Sequence, residues 1–283
     1  MIGGFVFDAT CFPPGAPLKI SLITPNWNGA RFLEACLQSV HAQRADGVEL
    51  EHIVVDGGSR DASLEIIGRH RAGIDQLLVE PDRGPADAIN KGLRLATGAW
   101  VGWLNADDVL CPGALARAAE TARRHPHAAL LFGRCRIIDE DDREIRKGIT
   151  RFKECFFPIS SRFTFQCINY ISQPATLFRR HAVVAAGPLR EDLKAAFDYE
   201  FFLRLWRQGG AARVPGGPLA AFRWHASSIS GRHFARQFKE EYDAACADAG
   251  RFSPQALLHL GVRWGIVASY SLMTRKPRAG GSP

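Results

Sequence analysis

The sequence predicts an α/β fold, a Rossmann-like and mostly parallel central sheet flanked by helices, with a helical extension at the C-terminus. Two observations carry this. Short apolar runs alternate with stretches of helical periodicity through residue 125, the pattern of successive β-α units in a parallel sheet. Polar side chains also follow each of four successive apolar runs, and parallel sheets bind ligands at the carboxyl ends of their strands. The 283 residues are 46% hydrophobic and 23% charged, enough for a substantial core.

Residues 1–18 read as an irregular lead-in, interrupted by Pro13, Pro14, Gly15 and Pro17. Ile20–Thr24 is a short apolar strand, followed by the loop Pro25-Asn26-Trp27-Asn28-Gly29. Arg31–Gln43 has apolar residues at 32, 33, 36, 37 and 40, the spacing of a helix face. The unit then repeats: strand Glu51–Val55, loop 56–59, and helix Asp61–His70 with Asp61 as its cap. Strand Gln76–Val79 leads through 80–85 into helix Ala86–Ala96, closed by Gly98. Strand Trp100–Leu104 ends in Asn105-Ala106-Asp107-Asp108, and Pro112 opens a helix to His125.

Beyond His127 the alternation weakens. Ala129–Gly133, Arg136–Asp139, Thr176–Phe178 and Leu219–Trp224 read as strands, and His181–Ala186 and Asp198–Gln208 as helices. Arg143–Tyr170 is irregular, basic and aromatic. It reads either as an acceptor-side loop or as core aromatics among solvated cations. Pro254–Met273 is an apolar helix with Gln255, His259 and Arg263 as a polar stripe, followed by Arg275, Lys276 and Arg278. It either packs on the domain or lies on anionic lipid as a peripheral helix.

The net charge of +7 and pI near 9.2 suit anionic partners. The cations are dispersed and no nucleic-acid motif is present, so nucleic acid is not expected as a partner. The seven cysteines form no CxxC pair, against a zinc site or disulfide framework. Met1–Leu18 does not resemble a signal peptide, and no 18-residue uncharged apolar run is present. A cytoplasmic location, in reach of the inner membrane face, is expected.

The chemistry-bearing residues collect at the strand ends. Asp107 and Asp108 follow a buried strand, and hard oxygen ligands there suit Mg²⁺ or Mn²⁺. A solvated helix cap is the alternative. Asp56, in Val-Val-Asp-Gly-Gly-Ser, would accept hydrogen bonds from a base or ribose, or simply shape a turn. Neither GxGxxG nor GxxxxGK is present, which argues against a dinucleotide dehydrogenase and a P-loop kinase. Arg83 could neutralise phosphate or cap a helix, and Asp87 and Asn90, three apart, share a helix face. Asp198, after apolar Ala195-Ala196-Phe197, is either an N-cap or a general base of raised pKa. His225 ends a strand, where a metal or diphosphate contact competes with a structural role.

Taken in order, these pieces resemble the family 2 inverting glycosyltransferases of the GT-A fold. Leu22–Asn28 resembles the opening strand and sugar-nucleotide loop of that family, and Val54–Asp61 its DGGSxDG stretch. Asp82–Gly92 resembles DxGxxDAxNxG, and Trp103–Asp108 the metal-binding DxD region. Gln173–Arg180, Asp198-Tyr199-Glu200 and His225 match later landmarks, so the resemblance spans roughly 19–230. It implies a GT-A catalytic domain over 19–235, with a nucleotide-binding half (19–125) and an acceptor half (126–235). The C-terminal helical extension and tail would occupy 236–283.

The resemblance further implies transfer of a sugar, with inversion, from a nucleotide-sugar donor, a UDP-sugar foremost. The acceptor would be a carbohydrate or lipid-linked hydroxyl in polysaccharide or glycolipid assembly. Donor contacts would come from Pro25, Asn26, Asn28 and Asp56, from Asp82, Arg83, Asp87 and Asn90, and from Asn105, Ala106 and Asp107. Asp107, Asp108 and His225 would hold Mn²⁺ or Mg²⁺, and Asp198 would be the base. Two positions depart from the common family form: Asn105 stands where Asp is frequent, and Phe197 where Glu often precedes the base. The competing functions are a sugar-nucleotide nucleotidyltransferase and a noncatalytic nucleotide-sugar-binding protein. The first usually needs a Gly-rich loop after strand one, which Pro25–Gly29 is not.

Overall fold

A computed structural model describes residues 17–44, 48–226, 228 and 234–274. The expected lead-in at 1–18 and the tail beyond Thr274 lie largely outside them. A central seven-stranded sheet runs in the order β10-β6-β9-β4-β1-β2-β3. Its strands are β1 Leu18–Asn26, β2 Val48–Asp56, β3 Gln76–Val79, β4 Trp100–Trp103, β6 Leu130–Phe132, β9 Thr176–Arg179 and β10 Ala211–Arg213. Only β9 opposes its neighbours, pairing antiparallel to both β4 and β6. β5 Val109–Leu110, β7 Cys135–Ile138, β8 Glu144–Ile145 and β11 Ala220–Arg223 build a second sheet, ordered β5-β11-β7-β8. Two of these strands have two residues each, too short to leave a period-two signal.

The helices are α1 Ala30–His41, α2 Ser63–Arg69, α3 Pro85–Leu95, α4 Ala114–Arg124, α5 Lys147–Glu154, α6 Arg162–Cys167, α7 Arg180–Ala186, α8 Phe197–Trp206, α9 Phe234–Ala249 and α10 Pro254–Thr274. The alternation read from the sequence is therefore present through α4, with ends shifted by at most three residues. α1 buries Leu33, Cys36, Leu37 and Val40, the stripe its periodicity foretold. In β4, Trp100 and Trp103 enter separate hydrophobic clusters, because side chains three apart in a strand point to opposite faces. Trp103 packs on Phe178, Phe201 and Phe202 at centroid distances of 5.2–6.3 Å, which ties the start of α8 to the end of β4. The stretch 143–170 is less irregular than expected. Phe157, Phe165 and Tyr170 are core residues there, while Phe152 and Phe163 are exposed.

Register sets up the strand ends. Asn26 pairs with Asp56, and Asp56 with Val79, so the loops after β1, β2 and β3 emerge side by side. Leu104 donates its N–H to the carbonyl of Ile23 at 2.9 Å and closes the β4 end against them. Pro25 lies in β1 beyond the last β4 pairing, Ile23 with Trp103, where its missing N–H costs no ladder bond on that side.

Beneath this edge runs a chain of histidines. Thr24 Oγ1 meets His52 Nε2 at 3.0 Å, and His52 Nδ1 meets His41 Nε2 at 3.2 Å. The His70 ring lies 5.8 Å from His41, and its Nε2 reaches Glu34 at 3.3 Å. Burial, aided by the charge of His41, pushes His52 down to about 3, and burial also lowers His41. Both native values lie below the ordinary histidine value. Their contribution to stability is therefore complete above about pH 6.5 and is lost as the pH falls through it toward 3. Urea unfolding between pH 7 and 5 should show stability falling with acid, with His52 supplying about 1.4 kcal/mol per pH unit. His52→Gln should flatten that slope by one proton; an unchanged slope would refute the assignment.

The C-terminal helices are packed, not appended. α9 lies against α8 and α6, and α10 against α9 and α6. His259, buried, donates from Nδ1 to the Gln166 carbonyl at 3.0 Å, and Arg263 lies over the Tyr242 ring at 5.9 Å. The polar stripe of α10 thus faces the protein.

Candidate functional site

The β1 and β2 ends form one hydrogen-bonded unit. Asp56 is wholly buried. Its Oδ1 accepts the N–H groups of Gly58 (3.0 Å) and Ser59 (2.7 Å), and its Oδ2 accepts from Asn26 Nδ2 (2.7 Å) and Ser59 Oγ (2.8 Å). Four bonds fill the acceptor sites of a carboxylate. In this arrangement Asp56 shapes the loop that follows β2. Asn28, at a left-handed φ of 50°, accepts from Arg60 N at 2.8 Å and braces the same loop. Asn26 Oδ1 is buried without a partner among the described residues.

Asp82 remains half-open. Its Oδ1 accepts from Gly84 N at 2.9 Å, while a Cβ placed on Gly57 would meet its Oδ2 at 2.1 Å. Only glycine at 57 leaves that carboxylate room. Burial raises the Asp82 pKa, partly offset by the Gly84 N–H. The sequence reading gave no role to Trp27, a large exposed aromatic whose ring lies 3.3 Å from that same Cβ position. An aromatic outside the core at a strand end is a signal it passed over. Ser59, which holds Asn26, Asn28 N and Asp56, was likewise missed.

Asp87 and Asn90 do share the α3 face, but both are spent on the protein. Asp87, buried, accepts from the backbone and guanidinium of Arg83, each at 3.1 Å, and the Arg83 bond holds its carboxyl below the usual range. Arg83 is exposed and also pairs with Glu191 at 2.8 Å. Asn90 clamps Leu189, donating to its carbonyl at 2.9 Å and accepting its N–H at 2.8 Å. Asn90→Ala should cost about 1–3 kcal/mol in a chemical unfolding titration, since it strands a buried N–H. If Asn90 acts through these scaffold bonds alone, nucleotide affinity should stay within about twofold; a large affinity loss in folded protein would show that it also meets the donor.

At the β4 end, Asp107 Oδ2 meets His225 Nε2 at 3.0 Å. β11 pairs with β5, immediately after Asp107-Asp108, and this brings a residue 118 positions away to the loop. Asp107 is partly exposed; Asp108 is fully buried. Asp108 Oδ1 accepts Arg223 N at 2.8 Å, its Oδ2 takes Asn105 Nδ2 at 3.4 Å, and burial with the Asp107 charge raises its pKa far above the usual range. Asp108 faces inward and fastens β11, whereas Asp107 faces outward. Arg223 completes the fastening through Asp107 O (2.9 Å), Asp139 O (2.8 Å) and Asp142 (2.6 Å). It was overlooked because a buried arginine has no sequence signature. Among the described residues no three His, Cys, Asp or Glu side chains converge as a ready metal cage. One carboxylate with an imidazole still fits Mg²⁺ or Mn²⁺, which complete their shells with water and phosphate oxygens.

Asp198 does not cap α8; Ala196 is the capping residue. Glu240 of α9 instead holds the segment that leads into the helix, accepting the N–H groups of Lys194, Ala195 and Ala196 at 2.8–3.1 Å. Among the described residues Asp198 accepts from its neighbour Tyr199 N at 2.8 Å. Burial pushes it up to about 6, Glu241 adds to the rise and Lys153 opposes it. Lys153 donates to Ser172 at 3.3 Å, and adjacent Gln173 donates to the Trp103 carbonyl at 2.8 Å. Asp198 and Asp107 share no hydrogen bond among the described residues; the β4 end connects their surroundings.

A model described as "Glycosyl transferase family 2" matches residues 21–185. A PGL/p-HBAD biosynthesis glycosyltransferase of Mycobacterium bovis (strain BCG / Pasteur 1173P2) is 32% identical over 193 residues, covering 67% of this chain and 70% of that protein. An uncharacterized protein of Mycobacterium tuberculosis is 30% identical over 228 residues, covering 76% and 70%. Among solved structures, S. aureus TarS 1-349 in complex with UDP-GlcNAc superposes with a TM-score of 0.66 at 18% identity, covering 91% of this chain and 74% of that one. Mannosyltransferase PcManGT from Pyrobaculum calidifontis, in complex with GDP-Man and Mn2+, gives 0.64 at 17% identity, covering 93% and 82%. At such identities these two likenesses speak to the fold.

Proposed function

This chain belongs to glycosyl transferase family 2 and is a glycosyltransferase of GT-A fold, and from that premise we propose a metal-dependent, inverting transfer of a sugar from a nucleotide-sugar donor to an acceptor hydroxyl. The observation that carries the proposal is the Asp107–His225 pair at the β4 end, next to the loops that emerge in register from β1, β2 and β3. Asp82, Asn26 and Trp27 would receive the nucleoside, with Trp27 stacking on the base. Asp107 and His225 would hold Mn²⁺ or Mg²⁺, which, when bound, supplies positive charge for the donor diphosphate. The solved complexes with UDP-GlcNAc and with GDP-Man and Mn2+ support that class of ligand. UDP is favoured as the nucleotide.

Asp198 would take the proton from the acceptor hydroxyl as that oxygen attacks the anomeric carbon opposite the leaving diphosphate. Single displacement inverts the configuration. Residues 19–125 form the nucleotide half, 126–235 the acceptor half and 236–283 the extension. The acceptor is a carbohydrate or lipid-linked hydroxyl in polysaccharide or glycolipid assembly, on the cytoplasmic side of the membrane. Among the described residues no helix is long and apolar enough to cross a membrane.

The test is a thermal-shift screen with UDP-, GDP- and dTDP-sugars, with and without Mn²⁺, followed by NMR of the product anomer. Metal-dependent stabilisation by one donor and an inverted product are expected. Failure of every donor to stabilise the protein, or a retained anomer, would overturn the proposal.

A further inference from the structure

α10 is amphipathic the wrong way round for a helix that only packs. Over Pro254–Trp264 its inner face carries Ala256 and His259, both buried, with Arg263 over Tyr242. Its outer face carries Leu257 (57% exposed), Leu258 (53%) and Trp264 (68%), and Phe252 just before it is 88% exposed. Positions 257, 261 and 264 stack on one helix face at i, i+4 and i+7, with 258 beside them. A soluble helix would place these groups inward. Charge points the same way. After Asp248 the sequence contains no acid, but it contains Arg251, Arg263, Arg275, Lys276 and Arg278. The neighbouring α6 also exposes Phe163.

We infer that the outward face of α10, with Phe252, docks on an anionic lipid surface. Trp264 and the leucines enter the headgroup boundary, and exposed Arg251, beside Phe252, meets the phosphates. A second protein copy would also cover apolar area. A twofold interface would bring together two segments of net positive charge that carry no acid, whereas anionic lipid complements them. This inference deepens the proposed function and rests on that reading only for the lipid-linked acceptor class that it favours.

The test is co-sedimentation of the full chain with phosphatidylcholine vesicles, alone or with about one-third phosphatidylglycerol. Binding is expected to the anionic vesicles and should weaken with added salt. The double substitution Leu257→Ser with Leu258→Ser, and separately Trp264→Ser, should each weaken it about tenfold or more. Val184→Ser, at an exposed site on α7, should not. All these positions are exposed, so the variants should keep their melting temperature and their donor-induced stabilisation. Three outcomes would overturn the inference: no binding to anionic vesicles, binding indifferent to the substitutions, or a dimer in light scattering that they abolish without lipid binding. Loss of donor stabilisation in wild type with vesicle binding intact would instead sink the enzymatic reading alone.

Discussion

Asp198→Asn should lower turnover by roughly 10²–10⁴, the usual contribution of a positioned general base, and leave donor affinity unchanged. The amide is isosteric, so the Tyr199 N–H keeps an acceptor and α8 keeps its packing. The pH profile offers an independent check. A base whose carboxyl is pushed up to about 6 is ionised above that value and protonated below it. Turnover should therefore be flat on the alkaline side and fall about tenfold per pH unit below 6. The acid instability assigned to His52 acts over the same range, so rates must be taken as initial velocities on protein shown to be folded. If Asp198→Asn keeps more than about a tenth of wild-type turnover, the base lies elsewhere.

Asp107→Asn should abolish the Mn²⁺-dependent part of donor binding, weakening nucleotide-sugar affinity by about a hundredfold, as befits a lost charged ligand to a hard cation. Its effect on folding should be slight, because the side chain is partly exposed and its carbonyl bond to Arg223 does not depend on the carboxylate. Asp108→Asn should behave in the opposite manner. Its amide keeps an acceptor for Arg223 N but turns an NH2 donor toward Asn105 Nδ2 in a buried site, so stability should fall by about 1–3 kcal/mol, with metal affinity changed far less. Calorimetric Mn²⁺ and donor titrations on both variants separate the roles. If Asp108→Asn loses the metal and Asp107→Asn does not, Asp108 is the metal ligand.

The nucleotide-side architecture was legible in the sequence because its signals are local. Apolar strands such as Ile20–Thr24 and helix faces such as Leu33, Cys36, Leu37 and Val40 announce themselves by period. Their polar ends fall where a parallel sheet puts them. The division of labour among the acids was not legible. Asp56 and Asp108 differ from Asp82 and Asp107 in partners that arrive from other elements, Asn26 from β1 and Arg223 from β11, while Asp87 is taken by Arg83 four residues before it. His225 could be singled out as ending a strand, but its pairing with Asp107 depends on β5, a two-residue strand with no periodicity. The polarity of α10 shows the same limit: the stripe was visible, yet which side faced the domain depended on Gln166 and Tyr242.

The bonds from Glu240 to the amides of Lys194, Ala195 and Ala196 bear on the order of biosynthesis. The segment leading into α8, just ahead of Asp198, is held by a residue some forty positions downstream (from 198 to 240). As the chain leaves the ribosome, the nucleotide half can fold first. The segment bearing the proposed base is secured only once α9 has emerged and docked. A nascent or prematurely terminated chain would then bind a donor before it could spend one.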